Sequence, residues 1–360
     1  MKRKTIVISL LLILLLVFSA CGNQNQNTGV EKDASTELTE ESTAESTTKA
    51  SAEAAADSSD SPARYDITHH YADKEEAIAC YLSNDDYLNG MGSFELEFKV
   101  QKKGATLDEL KDFAVTKMQE FSEEDKKILD KSLEEMAAMA AEKGYQLPEL
   151  DEIILIKSTQ EEESGSAAYT HGTQIYFSDY LIELLKSEDP EKYQSGKELL
   201  WHELFHCLTR NNPDFRKDMY KIIHFTVTDQ DFELPPSVKA ITISNPDVEH
   251  HNSYASFKIK GKDVECFTGL ISTKPFEKKG DSFFYSMETA LIPIDGSDTY
   301  YLPEDASNFW DVFGQNTDYV IDPEECMADN FSYAMTYGLD GMEYKNPEII
   351  ESILDYLKAD

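Results

Sequence analysis

Basic residues are scarce in this sequence. Among its 360 residues, 33 lysines and arginines are set against 69 aspartates and glutamates, which gives a formal net charge of −36. Proteins that bind nucleic acid or anionic lipid surfaces through charge carry a basic patch, so this imbalance argues against both classes of partner. An acidic surface favours solubility and does not by itself indicate a basic substrate.

Paired cysteines are missing as well. None of the five cysteines belongs to a Cys-x-x-Cys pair, which argues against a zinc site built from thiolates. Four of them lie in the part of the chain that we expect to fold, and either disulfide bonds or buried free thiols are compatible with their spacing: Cys80, Cys207, Cys266 and Cys326.

Long hydrophobic runs are absent except at the N-terminus. Three basic residues precede an apolar run over residues 5–18, which is short for a transmembrane helix, so residues 1–20 are predicted to be a signal peptide. Val17-Phe18-Ser19-Ala20-Cys21 resembles the lipobox of bacterial lipoproteins, with Phe18 where leucine is usual. The resemblance implies that Cys21 is lipidated and anchors the protein outside the bacterial cell membrane. Ordinary signal cleavage with a free Cys21 is the alternative.

Large apolar side chains are nearly absent from residues 21–64, which are rich in serine, threonine, alanine and acidic residues. Such a segment buries too little surface to offset the entropy of ordering, so it is predicted to be a disordered acidic tether. Residues 65–360 are expected to form the folded domain, with a helical part over residues 65–145.

Hydrophobic periodicity predicts an α+β domain with both helices and strands. Phe94–Val100 alternates apolar and charged residues and is predicted to be a strand. The remaining predictions are helices over 107–121, 122–144, 178–185, 213–223 and 347–358, strands over 152–157, 239–243, 254–259, 264–271 and 283–293, and a hairpin over 167–177 that turns at His171-Gly172. Met136, Ala137, Met139 and Ala140 are predicted to be packing surface.

The most informative motif is His202-Glu203-x-x-His206, within a nearly all-apolar helical stretch. On a helix, the i, i+4 spacing places both imidazoles on one face, where they can bind one Zn²⁺ with Glu203 beside the open coordination position. Burying two histidines and a glutamate is costly unless they have partners, which favours this interpretation over a structural helix with coincidental histidines.

A catalytic zinc ion typically takes three protein ligands, so a third is required. The metzincin extension is excluded because Thr209 and Asn212 stand at its glycine and histidine positions. Glu325 and Asp329 have the i, i+4 spacing that lets Glu325 bind zinc while Asp329 accepts the far N–H of a ligand histidine, which we expect to be His202. Glu324 is the rival ligand, and a capped surface helix that happens to carry acids is the alternative.

These two motifs, with an Asn245-Pro246-Asp247 turn between them, resemble those of gluzincin zinc metallopeptidases, here in a bacterial lipoprotein. The resemblance implies a zincin-like domain with a mixed sheet, an active-site helix and a downstream glutamate helix. It also implies one Zn²⁺, a general-base role for Glu203, and an exposed strand ahead of the metal helix on which an extended peptide lies. In related enzymes a tyrosine and a histidine stabilise the oxyanion. The candidates here are Tyr254 with His250 or His251.

The function that these residues imply is hydrolysis of peptide bonds outside the cytoplasm through a zinc-bound water. We expect a monomer with a peptide or protein substrate and with a membrane attachment through Cys21. Two alternatives remain: a non-catalytic surface lipoprotein that binds a metal or another ligand, and a zinc amidase acting on cell-wall peptides. His171, at the predicted hairpin tip, is expected to be exposed and not a ligand.

Overall fold

A computed structural model describes residues 67–358, which fold as an α+β protein. The predicted signal peptide (1–20), the tether (21–64) and Cys21 lie outside the described residues. Within residues 67–358, no helix has the length and apolar character needed to cross a membrane. The helices are α1 (Lys74–Leu82), α2 (Asp85–Gly90), α3 (Ser93–Val100), α4 (Leu107–Val115), α5 (Glu123–Lys143), α6 (Asp179–Lys186), α7 (Pro190–Asn211), α8 (Pro213–Ile222), α9 (Pro236–Lys239), α10 (Phe309–Phe313), α11 (Pro323–Tyr337) and α12 (Pro347–Leu357).

The strands form two sheets. A mixed sheet has the order β1-β3-β5-β4, with β2 pairing antiparallel to the end of β3, and a second sheet has the antiparallel order β6-β7-β8-β9. The strands are β1 (His69–Tyr71), β2 (Met118–Gln119), β3 (Ile153–Ser158), β4 (Ala168–His171), β5 (Gln174–Phe177), β6 (Thr226–Val227), β7 (Ser253–Ile259), β8 (Lys262–Ser272) and β9 (Met287–Pro293).

Helix α5 begins and ends where the sequence predicts. Ser122 accepts a hydrogen bond from the Asp125 amide while the Asp125 carboxylate accepts one from the Ser122 amide, so two free N–H groups of the first turn are satisfied. Gly144 ends the helix in the left-handed conformation (φ 69°), which glycine adopts without steric cost. The preceding helix ends earlier than predicted, at Val115, because Met118–Gln119 pairs with β3.

The predicted strand over Phe94–Val100 is wrong, since Ser93–Val100 is helix α3. The same residues have a consistent helical pattern: Phe94 and Phe98 are four apart, with ring centroids 5.6 Å apart. Glu95 and Lys99 are also four apart, and their side chains pair inside the protein at 3.4 Å. A segment of seven residues is too short for an alternating pattern to exclude this second periodicity.

The hairpin of β4 and β5 is confirmed, with His171 paired to Gln174 across the turn. Strand β4 is an edge strand of the mixed sheet and precedes helices α6 and α7. The expectation that His171 is exposed is wrong, because its side chain is buried and its ring lies 4.5 Å from that of Tyr87. Residues on helix α2 therefore cover the hairpin tip, which local sequence does not reveal.

The strands predicted over 254–259 and 264–271 correspond to β7 and β8. The run 239–243 is not a strand: it begins at the end of α9, and Thr242 forms only an isolated bridge to Ile271. The run 283–293 divides into a short 3-10 turn and strand β9. Pro236 is the first residue of α9, a position where its missing N–H leaves no hydrogen bond unmade, so the chain is helical just before this run.

Helices α7 and α11 pack against each other at the centre of the largest apolar cluster. Phe331 of α11 contacts Trp201 and Phe205 of α7, with ring centroids 6.0 and 5.2 Å apart. Helix α11 begins at Pro323 with Asp322 as its cap, as predicted. Aromatic packing thus sets the spacing between the two helices. The four cysteines of the described residues are free and buried.

Candidate metal centre

Three predicted ligands from two distant helices meet between α7 and α11. The Nε2 atoms of His202 and His206 lie 3.0 and 3.7 Å from Oε2 of Glu325. Ligands of a tetrahedral zinc ion with bonds of 2.0–2.1 Å are about 3.3 Å apart, so these separations leave room for one ion of that size. His206 and Glu325 have no exposed surface and His202 is 2% exposed.

Carboxylates fix the orientation of both imidazoles. Nδ1 of His202 donates to Oδ1 of Asp329 over 2.9 Å, as predicted, and Nδ1 of His206 donates to Oε1 of Glu324 over 3.0 Å. With the proton held on Nδ1, each ring presents the lone pair of Nε2 to the same point. Sequence reasoning treated Glu324 only as a rival ligand, whereas the structure makes it the partner of the second histidine.

The Glu324 carboxylate is itself well held. It accepts hydrogen bonds from Thr209 (2.6 Å) and from the hydroxyl of Tyr220 (2.5 Å), and Arg216 lies 3.8 Å away. Burial alone would raise the pKa of Glu324, but the hydrogen bond to His206 and the nearby positive charges lower it to about 2. Glu324 is therefore an anion that would strengthen His206 as the ligand of a bound cation.

Glu325 is oriented by contacts to its other oxygen. Its Oε1 accepts hydrogen bonds from the side-chain amide of Asn245 and, over 3.2 Å, from the hydroxyl of Tyr319. These two donors leave Oε2 directed at the histidines. Neither residue was assigned this role from sequence: Asn245 was noted only as part of the Asn-Pro-Asp turn, and Tyr319 lies in a loop that no local pattern marks.

The arrangement fits a divalent cation. The Nε2 atom of His206 is buried without a hydrogen-bond partner, a costly state that coordination would relieve. Burial alone would lower the pKa of His202, but hydrogen bonds to Asp329 and Glu325 raise it well above its ordinary value. The centre therefore attracts positive charge. Nitrogen and carboxylate ligands suit zinc, although other divalent ions accept the same set.

Glu203 lies beside the three candidate ligands. Its carboxylate accepts a hydrogen bond from the Thr170 hydroxyl of strand β4 over 2.7 Å and is 4% exposed. Burial raises its pKa. Oxygen atoms of Glu203 and Asp247 and a ring nitrogen of His206 all lie within 4.8 Å of one another. Burial, together with the charges of Glu203 and Glu325, raises the pKa of Asp247 well above its ordinary value.

Comparison with known proteins assigns no family here. No family model, no curated protein and no solved structure matches this chain. The assignment of function therefore rests on the geometry of the centre.

The other predicted site residues lie elsewhere. Tyr254 is on β7, paired with Thr226, and its ring packs 6.1 Å from Phe232. Within residues 67–358, no hydrogen bond links it to the candidate ligands. His250 pairs with Asp231 at the surface, and His251 packs against Phe267. Tyr319 is the tyrosine that the fold brings to the centre. Lipidation of Cys21 remains a prediction.

Proposed function

We propose that this protein is a zinc-dependent extracytoplasmic peptidase with a zincin-like domain. The observation that carries the proposal is the convergence of His202, His206 and Glu325, with a carboxylate behind each histidine and Glu203 at the side. A purely structural helix pair would have no need for this many buried ionisable groups.

The chain's own residues support hydrolysis. A bound Zn²⁺ supplies Lewis acidity, which polarises a carbonyl group and acidifies water. Glu203 is placed to accept a proton from water at the centre and to pass it to the leaving amine. The Thr170 hydroxyl orients the Glu203 carboxylate toward that position, and burial keeps its pKa closer to neutrality. Tyr319, whose hydroxyl lies 3.2 Å from Oε1 of Glu325, is our candidate for an oxyanion donor.

Strand β4 offers a place for the substrate. It is an edge strand of the mixed sheet, and it holds Thr170 against Glu203. An extended peptide that paired with this edge would pass beside the centre, and its backbone would supply the hydrogen bonds. The attachment of the folded domain to the outer face of the membrane through Cys21 is part of the proposal.

Two variants test the proposal in the full chain. In Glu203→Gln we expect zinc content equal to that of the parent and hydrolysis of an unstructured protein lowered by about 10²- to 10⁴-fold, since only the base is lost. In Glu325→Ala we expect loss of zinc, which is measured by elemental analysis after dialysis. Equal hydrolysis by the parent and Glu203→Gln would show that Glu203 is not the base.

A second candidate function is that of a non-catalytic metal-binding lipoprotein. The observation that favours it is the complete burial of the candidate ligands together with a fourth acidic group, Asp247, near His206. A closed set of protein ligands is typical of structural zinc sites. Zinc retained in the parent, with no hydrolysis of an unstructured protein, would support this candidate. A zinc amidase would share the same centre and differ in substrate.

A further inference from the structure

A short turn of this chain covers the outer edge of strand β4. The backbone N–H of Thr170 donates to Oδ1 of Asp247 over 2.6 Å, and that of Gly172 donates to Oε1 of Glu249 over 2.8 Å. Thr170 lies on β4 and Gly172 (φ 56°) lies in the hairpin turn that follows it, and both N–H groups face away from β5, so they are donors that a strand added at this end of the edge could use. The segment Asn245–Glu249, the edge segment, satisfies them with side-chain carboxylates.

The edge segment also reaches the candidate metal centre. Oδ1 of Asp247, the atom that accepts the Thr170 N–H, lies 4.0 Å from Nε2 of His206. Asp247 approaches from the side on which Glu203 lies, which is where water and a substrate carbonyl would have to bind. A carboxylate is a strong zinc ligand, so Asp247 is placed to close the open coordination position.

The edge segment is held by polar contacts. Asn245 accepts a hydrogen bond from the Asp247 amide over 3.1 Å, and its own side-chain amide bonds to Glu325. Arg210 of α7 pairs with Glu249 at 3.1 Å and donates to the Pro246 carbonyl over 3.3 Å. An extended substrate could replace the hydrogen bonds to Thr170 and Gly172 with its own carbonyl oxygens.

There is space for the edge segment to move into. A cavity of about 840 Å³ is lined by Asn245, Pro246, Val248 and Glu249, and a second cavity of about 300 Å³ is lined by Asp247, Val248 and Glu249. The segment is a turn between these two cavities, outside any helix or strand. A shift of the turn therefore requires no unfolding of a regular element.

From these contacts we propose that the centre is held latent by the edge segment. Asn245–Glu249 occupies the place of an extended peptide along β4, and the Asp247 carboxylate closes the open side of the cation site until the segment moves away. This inference rests on the proposed peptidase, because it assumes that β4 and the centre together bind substrate.

The test measures access to the metal directly. The full chain is loaded with Co²⁺, whose visible absorption reports its ligands, and titrated with acetohydroxamate, a small chelating anion. If the edge segment has moved away from the centre in about 1–10% of the molecules, removing the Asp247 carboxylate strengthens the apparent affinity for acetohydroxamate by about 10- to 100-fold. We expect that gain in Asp247→Ala, with Co²⁺ still bound. Asp263→Asn, at an exposed position of β8, is the matched control and should behave like the parent.

The variant Glu249→Ala is a second test of the latent arrangement. Glu249 is partly exposed and lies outside the centre, so its loss loosens the edge segment without removing a group near the cation. We expect a smaller gain in the same direction, with unchanged affinity for Co²⁺. This variant keeps the inference testable if Asp247→Ala fails to fold.

The outcomes separate this inference from the proposed function. Equal acetohydroxamate affinity in the parent and both variants, or loss of Co²⁺ from Asp247→Ala, would overturn the latent arrangement. Hydrolysis that is equally fast in the parent and Asp247→Ala would also overturn it while leaving the peptidase intact. If Asp247→Ala binds acetohydroxamate more tightly but cleaves no peptide, the proposed peptidase function is refuted and the latent arrangement is not. A parent that binds no Co²⁺ would refute both.

Discussion

Replacing Asp329 with asparagine tests the physical reason for placing a carboxylate behind a ligand histidine. Asp329 is 1% exposed; its Oδ1 accepts from Nδ1 of His202 over 2.9 Å, and its Oδ2 accepts from Thr317 over 2.5 Å. Asparagine has nearly the same shape, but its NH₂ group can face the ring. Nδ1 must then accept, and the proton moves to Nε2, the atom that would bind the cation.

Loss of such an orienting partner typically weakens metal binding by about 10- to 100-fold, which corresponds to about 1.4–2.7 kcal/mol. We expect this change in the zinc dissociation constant of Asp329→Asn, measured by competition with a chromophoric chelator. Glu324→Gln should produce a similar loss through the other histidine, His206. We expect little change for Asp340→Asn, an exposed site beyond the end of α11.

The circular dichroism of the variants in the far and near ultraviolet must match that of the parent for the comparison to be valid. Unchanged zinc affinity in both Asp329→Asn and Glu324→Gln would refute the orienting role of the two carboxylates. Weakened binding in only one of them would mean that a single histidine controls the affinity.

Two further predictions concern ionisable side chains that are not candidate ligands. Lys99 pairs with Glu163 and with Glu95 (3.4 Å) and is 1% exposed, so Lys99→Met should lower the unfolding free energy by about 3–5 kcal/mol in chemical denaturation. Burial raises the pKa of Glu198 to about 7, so between pH 4.5 and 7 the folded protein holds a proton that the unfolded chain has released. Its stability should therefore fall by up to about 3 kcal/mol over that window, relative to Glu198→Gln.

Each of these predictions has an internal control. Lys103→Met removes an exposed pair with Glu97 and should change stability by no more than about 1 kcal/mol, so an equal loss in both lysine variants would contradict the argument from burial. Glutamine at 198 can still accept the hydrogen bond from Tyr337, which spans 2.6 Å in the parent. Parallel pH profiles for the parent and Glu198→Gln would contradict the raised pKa.

Sequence patterns predicted the helices and strands well where the evidence for them was local. The caps of α5 and α11 and the hairpin turn depend on a few adjacent residues, and the structure confirms them. The prediction of a strand over 94–100 was wrong because these seven residues fit both the period of a strand and that of a helix. Burial against neighbouring elements favoured the helix. His171 was expected to be exposed because a turn usually is, but α2 packs over it.

By itself, the sequence determined which chemistry the candidate centre could contain. The i, i+4 spacings of His202 with His206 and of Glu325 with Asp329 follow from the pitch of a helix, so each pair shares a face wherever its helix lies. Only the tertiary structure decided which face of α7 meets which face of α11. It also decided that Glu324 lies behind His206 and that the turn at Asp247 lies against strand β4. Those contacts join residues 77 to 127 positions apart, and they depend on how aromatic side chains pack two helices together, which no short-range pattern encodes.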